Sequence, residues 1–145
     1  MIKRTAVTPE LIAAYRATDY VAVGAGVRLT LRIGEKSTQA DGLFQQMGVQ
    51  GAAFLTAYNP YSVDVGAAEN EARQQRLRAD LDALEGLTIW EGYGLGRDGE
   101  WPAEPSLLIW GIGRAAATEL AVRYEQNAFV WMERGEAALL VFPFS

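Results

Sequence analysis

The chain contains no cysteine and no histidine. Without thiols it can form no disulfide, zinc-thiolate site, iron-sulfur cluster or cysteine nucleophile. Without imidazole it lacks the commonest general base and metal ligand, and the Ser-His-Asp and Cys-His mechanisms go with it. Positive charge is also in deficit. Thirteen lysines and arginines stand against 18 acids, a net charge of -5, which on average repels polyphosphate and argues against nucleic acid as a partner. Long apolar runs are missing too: no stretch approaches the roughly 20 apolar residues of a membrane span, and "MIKRTAVTPELIAAY" lacks a continuous apolar segment and a small-residue cleavage site. A soluble cytoplasmic protein is the expectation. At 145 residues, 50% hydrophobic and 21% charged, the chain is sized for a single domain, residues 1–145, with one real core.

What is present is ordered by local signals. Thr8-Pro9-Glu10 is a helix start: a hydroxyl cap, proline at the first helical position and an acid in the first turn. Val27, Leu29, Leu31 and Ile33 alternate with Arg28, Thr30 and Arg32, the pattern of a half-buried strand and the second arm of a hairpin. Ser37 or Thr38 caps a short helix through Leu43, Phe44 and Met47 that Gly48 ends. "AAFLTAY" reads as a strand buried on both faces. Residues 69–84 read as a helix with Leu77, Leu81 and Leu84 on one side and Gly86 as its stop. "LTIWEGYGLG" and the apolar "SLLIWGI" are strands, "RAAATELAVRYEQ" is a helix, and "AFVWMER" with "AALLVF" closes the chain as a hairpin around Gly135.

The order from residue 52 onward is βαββαβ with an extra C-terminal strand. It predicts an α+β fold with a ferredoxin-like core over residues 52–142, preceded by an αββα addition over residues 1–51. Right-handed crossovers place strand four beside strand one, strand one beside strand three, and strand three beside strand two. "AAFLTAY" and "SLLIWGI", the most continuously apolar strands, are then the central neighbours.

That topology gathers polar residues that are scattered along the chain. The end of the first core strand, the start of the following helix, the loop before "SLLIWGI" and the end of the second helix all fall on one edge of the sheet. With strands about 4.8 Å apart, three neighbouring strand ends lie within roughly 10 Å. The candidate ligand-binding residues are Asn59, Tyr61, Ser62, Asn70, Arg73, Glu104, Ser106, Gln126 and Asn127. Arg73 and Arg97 would add positive charge, beside the helix N-terminus. Each residue also has a local reading: Asn59-Pro60 as a turn, Asn70 as a helix cap, Asn127 as a C-cap, Glu104 as a solvated loop carboxylate.

"FLTAYNPYS", "WPAEPSLLIWG" and "RYEQNAFVW" together resemble a bacterial domain of unknown function, number three-two-nine-three, over nearly the whole chain. The resemblance implies a shared fold and carries over Asn59, Pro60, Ser62, Asn70, Glu104, Ser106, Gln126 and Asn127 as a shared site. It implies no reaction and no cofactor.

Two other motifs carry less. "GLGRDG" matches G-x-G-x-x-G, but a dinucleotide loop must open a helix and here "EWPAEP" follows, so it reads as a hairpin loop. Of the four tryptophans, Trp90, Trp110 and Trp131 sit in strands as core residues, and Trp101 alone is placed where a ligand could reach it. The residue set suits a small polar or anionic ligand such as a nucleotide fragment. Two alternatives stay open: an interaction module, as homodimer or with a protein partner, using the apolar "AALLVFPF" as an edge strand; and a hydrolase in which Glu69 and Glu104 act as acid and base or hold a hard divalent ion. Two carboxylates without histidine are a thin catalytic set, so binding ranks above chemistry. No metal ligand set is assigned.

Overall fold

Local signals place the helices. In the computed structural model, which describes residues 4, 6–97 and 103–144, Thr8 Oγ1 accepts from Leu11 N at 3.1 Å and opens α1 (Pro9–Arg16). Ser37 Oγ accepts from Ala40 N at 3.0 Å and opens α2 (Thr38–Met47), which Gly48 ends in the left-handed conformation. Between them lies the hairpin of β1 (Thr18–Gly24) and β2 (Val27–Leu31), turned by Ala25 and Gly26, both at positive φ.

The remainder runs β3 (Gly51–Leu55), a short 3-10 turn at Pro60–Ser62, α3 (Ala67–Asp82), β4 (Thr88–Gly96), β5 (Glu104–Trp110), α4 (Arg114–Arg123), β6 (Phe129–Glu133) and β7 (Leu139–Val141). The helix expected from residue 69 begins two residues earlier, after Gly66 at φ 90°, so Asn70 sits inside the first turn and does not cap it. No described helix is long and apolar enough to cross a membrane.

The strands form one seven-stranded sheet in the order β2-β1-β4-β5-β3-β6-β7, with every neighbouring pair antiparallel. The fold is therefore α+β. β3 and β5 are neighbours, Ala53 facing Ile109 and Leu55 facing Leu107, as their apolar character requires. The N-terminal hairpin extends the sheet by pairing β1 with β4, Val21 opposite Tyr93. The sheet curls until its two ends approach: Ile33, just beyond β2, forms a parallel bridge with Ala138, just before β7.

The curl divides the core in two. On the inner face Leu29, Leu31, Phe54, Trp90, Leu108, Trp110 and Met132 pack with Leu43 and Phe44 of α2. Phe44 meets Trp110 edge-on at 4.9 Å, and Trp90 meets Trp110 at 5.2 Å. On the outer face Ala53, Leu55, Leu107 and Ile109 receive Leu77 and Leu81 of α3 and Leu120 and Ala121 of α4. Leu77 and Leu81 are fully buried, a burial that stabilises by about 1.5–3 kcal/mol per side chain. Gly92 lets the curl close, since a Cβ there would stand 2.5 Å from Val21 O and 3.0 Å from the Phe54 ring.

Candidate functional site

The chain leaving β3 has no strand partner to hold it, and buried or half-buried polar side chains do so instead. Ala57 N donates to Gln74 Oε1 at 2.8 Å, and Arg73 Nε donates to Ala57 O at 2.8 Å. Asn59 N donates to Asn70 Oδ1, and Asn70 Nδ2 donates to Asn59 Oδ1, both at 2.8 Å. From the other side Gln126 Nε2 donates to Tyr58 O at 2.9 Å, Tyr61 N donates to Glu125 O at 2.6 Å, and Asn127 Nδ2 donates to Ser62 Oγ at 3.0 Å.

These clamps hold an unfavourable backbone. Asn59, Tyr61 and Ser62 have φ of 50°, 50° and 62°. A left-handed residue other than glycine costs about 1–2 kcal/mol, and such strain persists only where surrounding bonds fix it. The result is a loop that turns back over the sheet end and presents Asn59 and Ser62 to one cavity.

That cavity measures about 250 Å³. β1 contributes Thr18 and Tyr20, β3 contributes Phe54, and β4 contributes Gly94 and Gly96. Glu104 and Ser106 come from β5, Gln126 and Ala128 from the segment before β6, and Leu11, Ala14 and Tyr15 from α1, which covers the sheet. Tyr20 OH donates to Tyr15 O at 2.8 Å and ties α1 to β1. Tyr20 and Phe54 meet edge-on at 5.3 Å, giving the cavity an aromatic side opposite its amides.

Among the described residues Glu104 is the one ionisable acid or base in the lining besides the tyrosine phenols. Asn59 Nδ2 donates to its Oε1 at 3.3 Å, and among the described residues no lysine or arginine pairs with it. Burial pushes its pKa up to about 7, with the Asn59 hydrogen bond opposing the rise. Burial also raises the Tyr15 and Tyr20 phenols, which stay neutral. The cavity thus holds a carboxyl group poised between its two charge states near neutral pH, and groups of that kind concentrate at functional sites.

The residues singled out from sequence divide into three groups. Asn59, Ser62, Glu104, Ser106 and Gln126 line the cavity. Asn70 and Asn127 stand behind them, each about 4% exposed, and fix Asn59 and Ser62. Arg73 and Tyr61 do not line it. Arg73 is buried, its guanidinium donating to Ala57 O and Tyr124 O, while the Tyr61 ring packs against Phe144 at 5.6 Å. Arg97 likewise turns to Asp19, at 3.3 Å, and to Arg16 O. Glu69 is exposed and pairs with Arg76 at 3.4 Å, apart from Glu104, so those two carboxylates share no site. Among the described residues no group of three or more acids is arranged to hold a metal ion. Trp101 lies outside the described residues. Leu11, Tyr15, Tyr20 and Phe54 carried no site signal in the sequence, because their spacing is that of ordinary core residues.

Fold and site together define a small α+β protein with a part-polar, part-aromatic cavity at one end of a curled antiparallel sheet. The chain belongs to the DUF3293 family, a protein family of unknown function, whose model matches residues 55–129. No curated protein and no solved structure matches it.

Proposed function

We propose that the cavity binds a small polar ligand through directed hydrogen bonds, and that the protein acts by binding and not by chemistry. The observation that carries this reading is Glu104: a carboxyl group inside a lined cavity, held by one amide donor and left without a counter-ion among the described residues. An unpaired buried carboxylate is costly, and a ligand that supplies its missing partner offsets the cost. A cavity of about 250 Å³ lies just below the range of drug-sized pockets, which fits a small metabolite. The nucleotide form of the reading has least support, since Arg73 and Arg97 both spend their charge elsewhere.

The core over residues 52–142 is read as ferredoxin-like on the order β4-β5-β3-β6. Edge-strand docking has weaker support: β7 is three residues long and its start is already bridged to Ile33. A thermal-shift screen with amines, amino acids, carboxylates and nucleosides tests ligand binding, because a ligand that binds only the native state raises Tm. A stabilising compound should lose its effect in Ala14→Trp, which fills the cavity from α1. A compound whose effect survives that substitution binds elsewhere, and a screen without stabilisation argues against the reading.

A further inference from the structure

Resting on that reading, we propose that the ligand is a small organic cation, an alkyl or aryl ammonium or guanidinium, whose charged end sits against Glu104.

Most hydrogen-bond donors in the wall are already spent, the exceptions being one hydroxyl proton of the Ser62–Tyr15 pair, since Ser62 Oγ accepts from Asn127, and the second proton of Asn59 Nδ2. Gln126 commits its amide nitrogen to two carbonyls, Tyr58 O at 2.9 Å and Tyr124 O at 3.1 Å, which leaves its Oε1 to accept. Ser106 Oγ donates to Glu104 O at 3.1 Å, and Thr18 Oγ1 donates to Ala14 O at 2.7 Å. Thr56 Oγ1 donates to Pro105 O at 2.7 Å, Tyr20 OH to Tyr15 O, and Asn59 Nδ2 to Glu104 itself. A hydroxyl has one proton and two lone pairs, and an amide oxygen or carboxylate only accepts. What remains for a ligand around Glu104 is therefore mainly acceptors: the second oxygen of Glu104, Gln126 Oε1, and the lone pairs of Ser106 and Thr18.

An anion or a pure acceptor placed against Glu104 and Gln126 Oε1 finds lone pairs facing lone pairs. An ammonium or guanidinium brings several donors and one positive charge, and meets each requirement at once. The aromatic side suits the same ligand, because Tyr15, Tyr20 and Phe54 supply apolar contact for its stem and ring faces that attract cations. The chain's net charge of -5 adds a field of the same sense.

The test uses three probes of closely matched shape on the intact protein: tyramine as cation, 4-propylphenol as neutral isostere and 4-hydroxyphenylacetate as anion. Binding is followed by backbone amide shifts of Asn59, Gly94, Ser106 and Gln126. The expected order is tyramine first, with a Kd at least about tenfold below that of the other two and a loss of about tenfold or more in Glu104→Gln. In the wild-type protein tyramine affinity should rise between about pH 5 and about pH 8, as Glu104 ionises while the amine stays charged. Tyr15 from α1, Tyr20 from β1 and Tyr58 from the loop feel the Glu104 charge and remain neutral throughout, so among the described groups around the cavity Glu104 is the one that titrates in this range. That pH profile needs no variant and stands even if Glu104→Gln folds poorly. Equal binding of all three probes with no dependence on pH or on Glu104 overturns the cation assignment and leaves a ligand cavity. Shifts with none of the probes overturn the cation assignment, while stabilisation by another compound that Ala14→Trp abolishes would still uphold the cavity.

Discussion

Asn70 and Asn59 exchange two hydrogen bonds, Asn59 N to Asn70 Oδ1 and Asn70 Nδ2 to Asn59 Oδ1, each 2.8 Å long. One side chain thereby fixes both the left-handed backbone of Asn59 and the direction of its amide, leaving Asn59 Nδ2 for Glu104. Asn70→Ala should destabilise by about 2–3 kcal/mol in urea unfolding, since it strands a backbone donor and a side-chain acceptor together.

Asn59→Gly should separate stability from binding. Asn70 Nδ2 loses its Asn59 Oδ1 acceptor, but glycine relieves strain of about 1–2 kcal/mol at φ of 50° and the backbone N–H keeps its Asn70 partner. Stability is expected within about 1 kcal/mol of wild type, while ligand affinity falls because Glu104 loses its positioning amide. A large loss of stability would show that the Asn59 side chain is chiefly structural.

Arg73 ties the loop after β3 to the end of α4 through Ala57 O and Tyr124 O. Arg73→Met should cost about 3 kcal/mol or more, because Ala57 O loses its donor, Tyr124 O keeps only that from Gln126, and Glu125 loses its ion-pair partner. Arg73→Lys should not recover it, since an ammonium cannot reproduce the guanidinium fork. Chemical denaturation of both variants measures this directly.

Glu104 makes stability depend on pH in a direction opposite to most carboxylates. Its folded pKa, about 7, lies above the ordinary value of 4.5, so the native state binds the proton more tightly than the unfolded chain. Its contribution is full below about pH 4.5 and is lost as pH rises through 7. Glu104→Gln, permanently neutral, should then be more stable than wild type at about pH 8, by about 1–3 kcal/mol, with the gain vanishing near about pH 4.5. Paired urea titrations at the two pH values would contradict this if the difference were constant.

Gly92→Ala should lower stability by about 2 kcal/mol or more, because the new methyl meets Val21 O on the adjacent strand and backbone cannot move aside cheaply. Thermal unfolding checks it.

The helices and strands were legible where one residue settles them by a short-range bond or a run of apolar neighbours. Thr8, Ser37 and Gly48 act on amides within four positions, and the continuous apolar character of β3 and β5 matches their central place. Asn59, Glu104, Ser106 and Gln126 could be grouped because strand order alone brings strand ends together. The direction of Arg73 could not be read, since a long side chain one turn into α3 can reach outward or inward, and two carbonyls left without strand partners decide it. The part played by Tyr15 was hidden for another reason. α1 reaches the cavity only because β1 pairs with β4, a contact between residues about 70 apart in the chain.

The cavity has two walls of different origin. Asn59, Ser62, Glu104, Ser106 and Gln126 fall inside residues 55–129, while Leu11, Tyr15, Tyr20 and Phe54 precede them. Thr18 apart, the acceptor end and the aromatic wall therefore come from different lengths of chain, like a lock whose wards and keyhole are cut from different plates. A protein sharing the matched stretch but carrying another N-terminal hairpin would keep Glu104 and Gln126 in place and surround them with a different apolar wall.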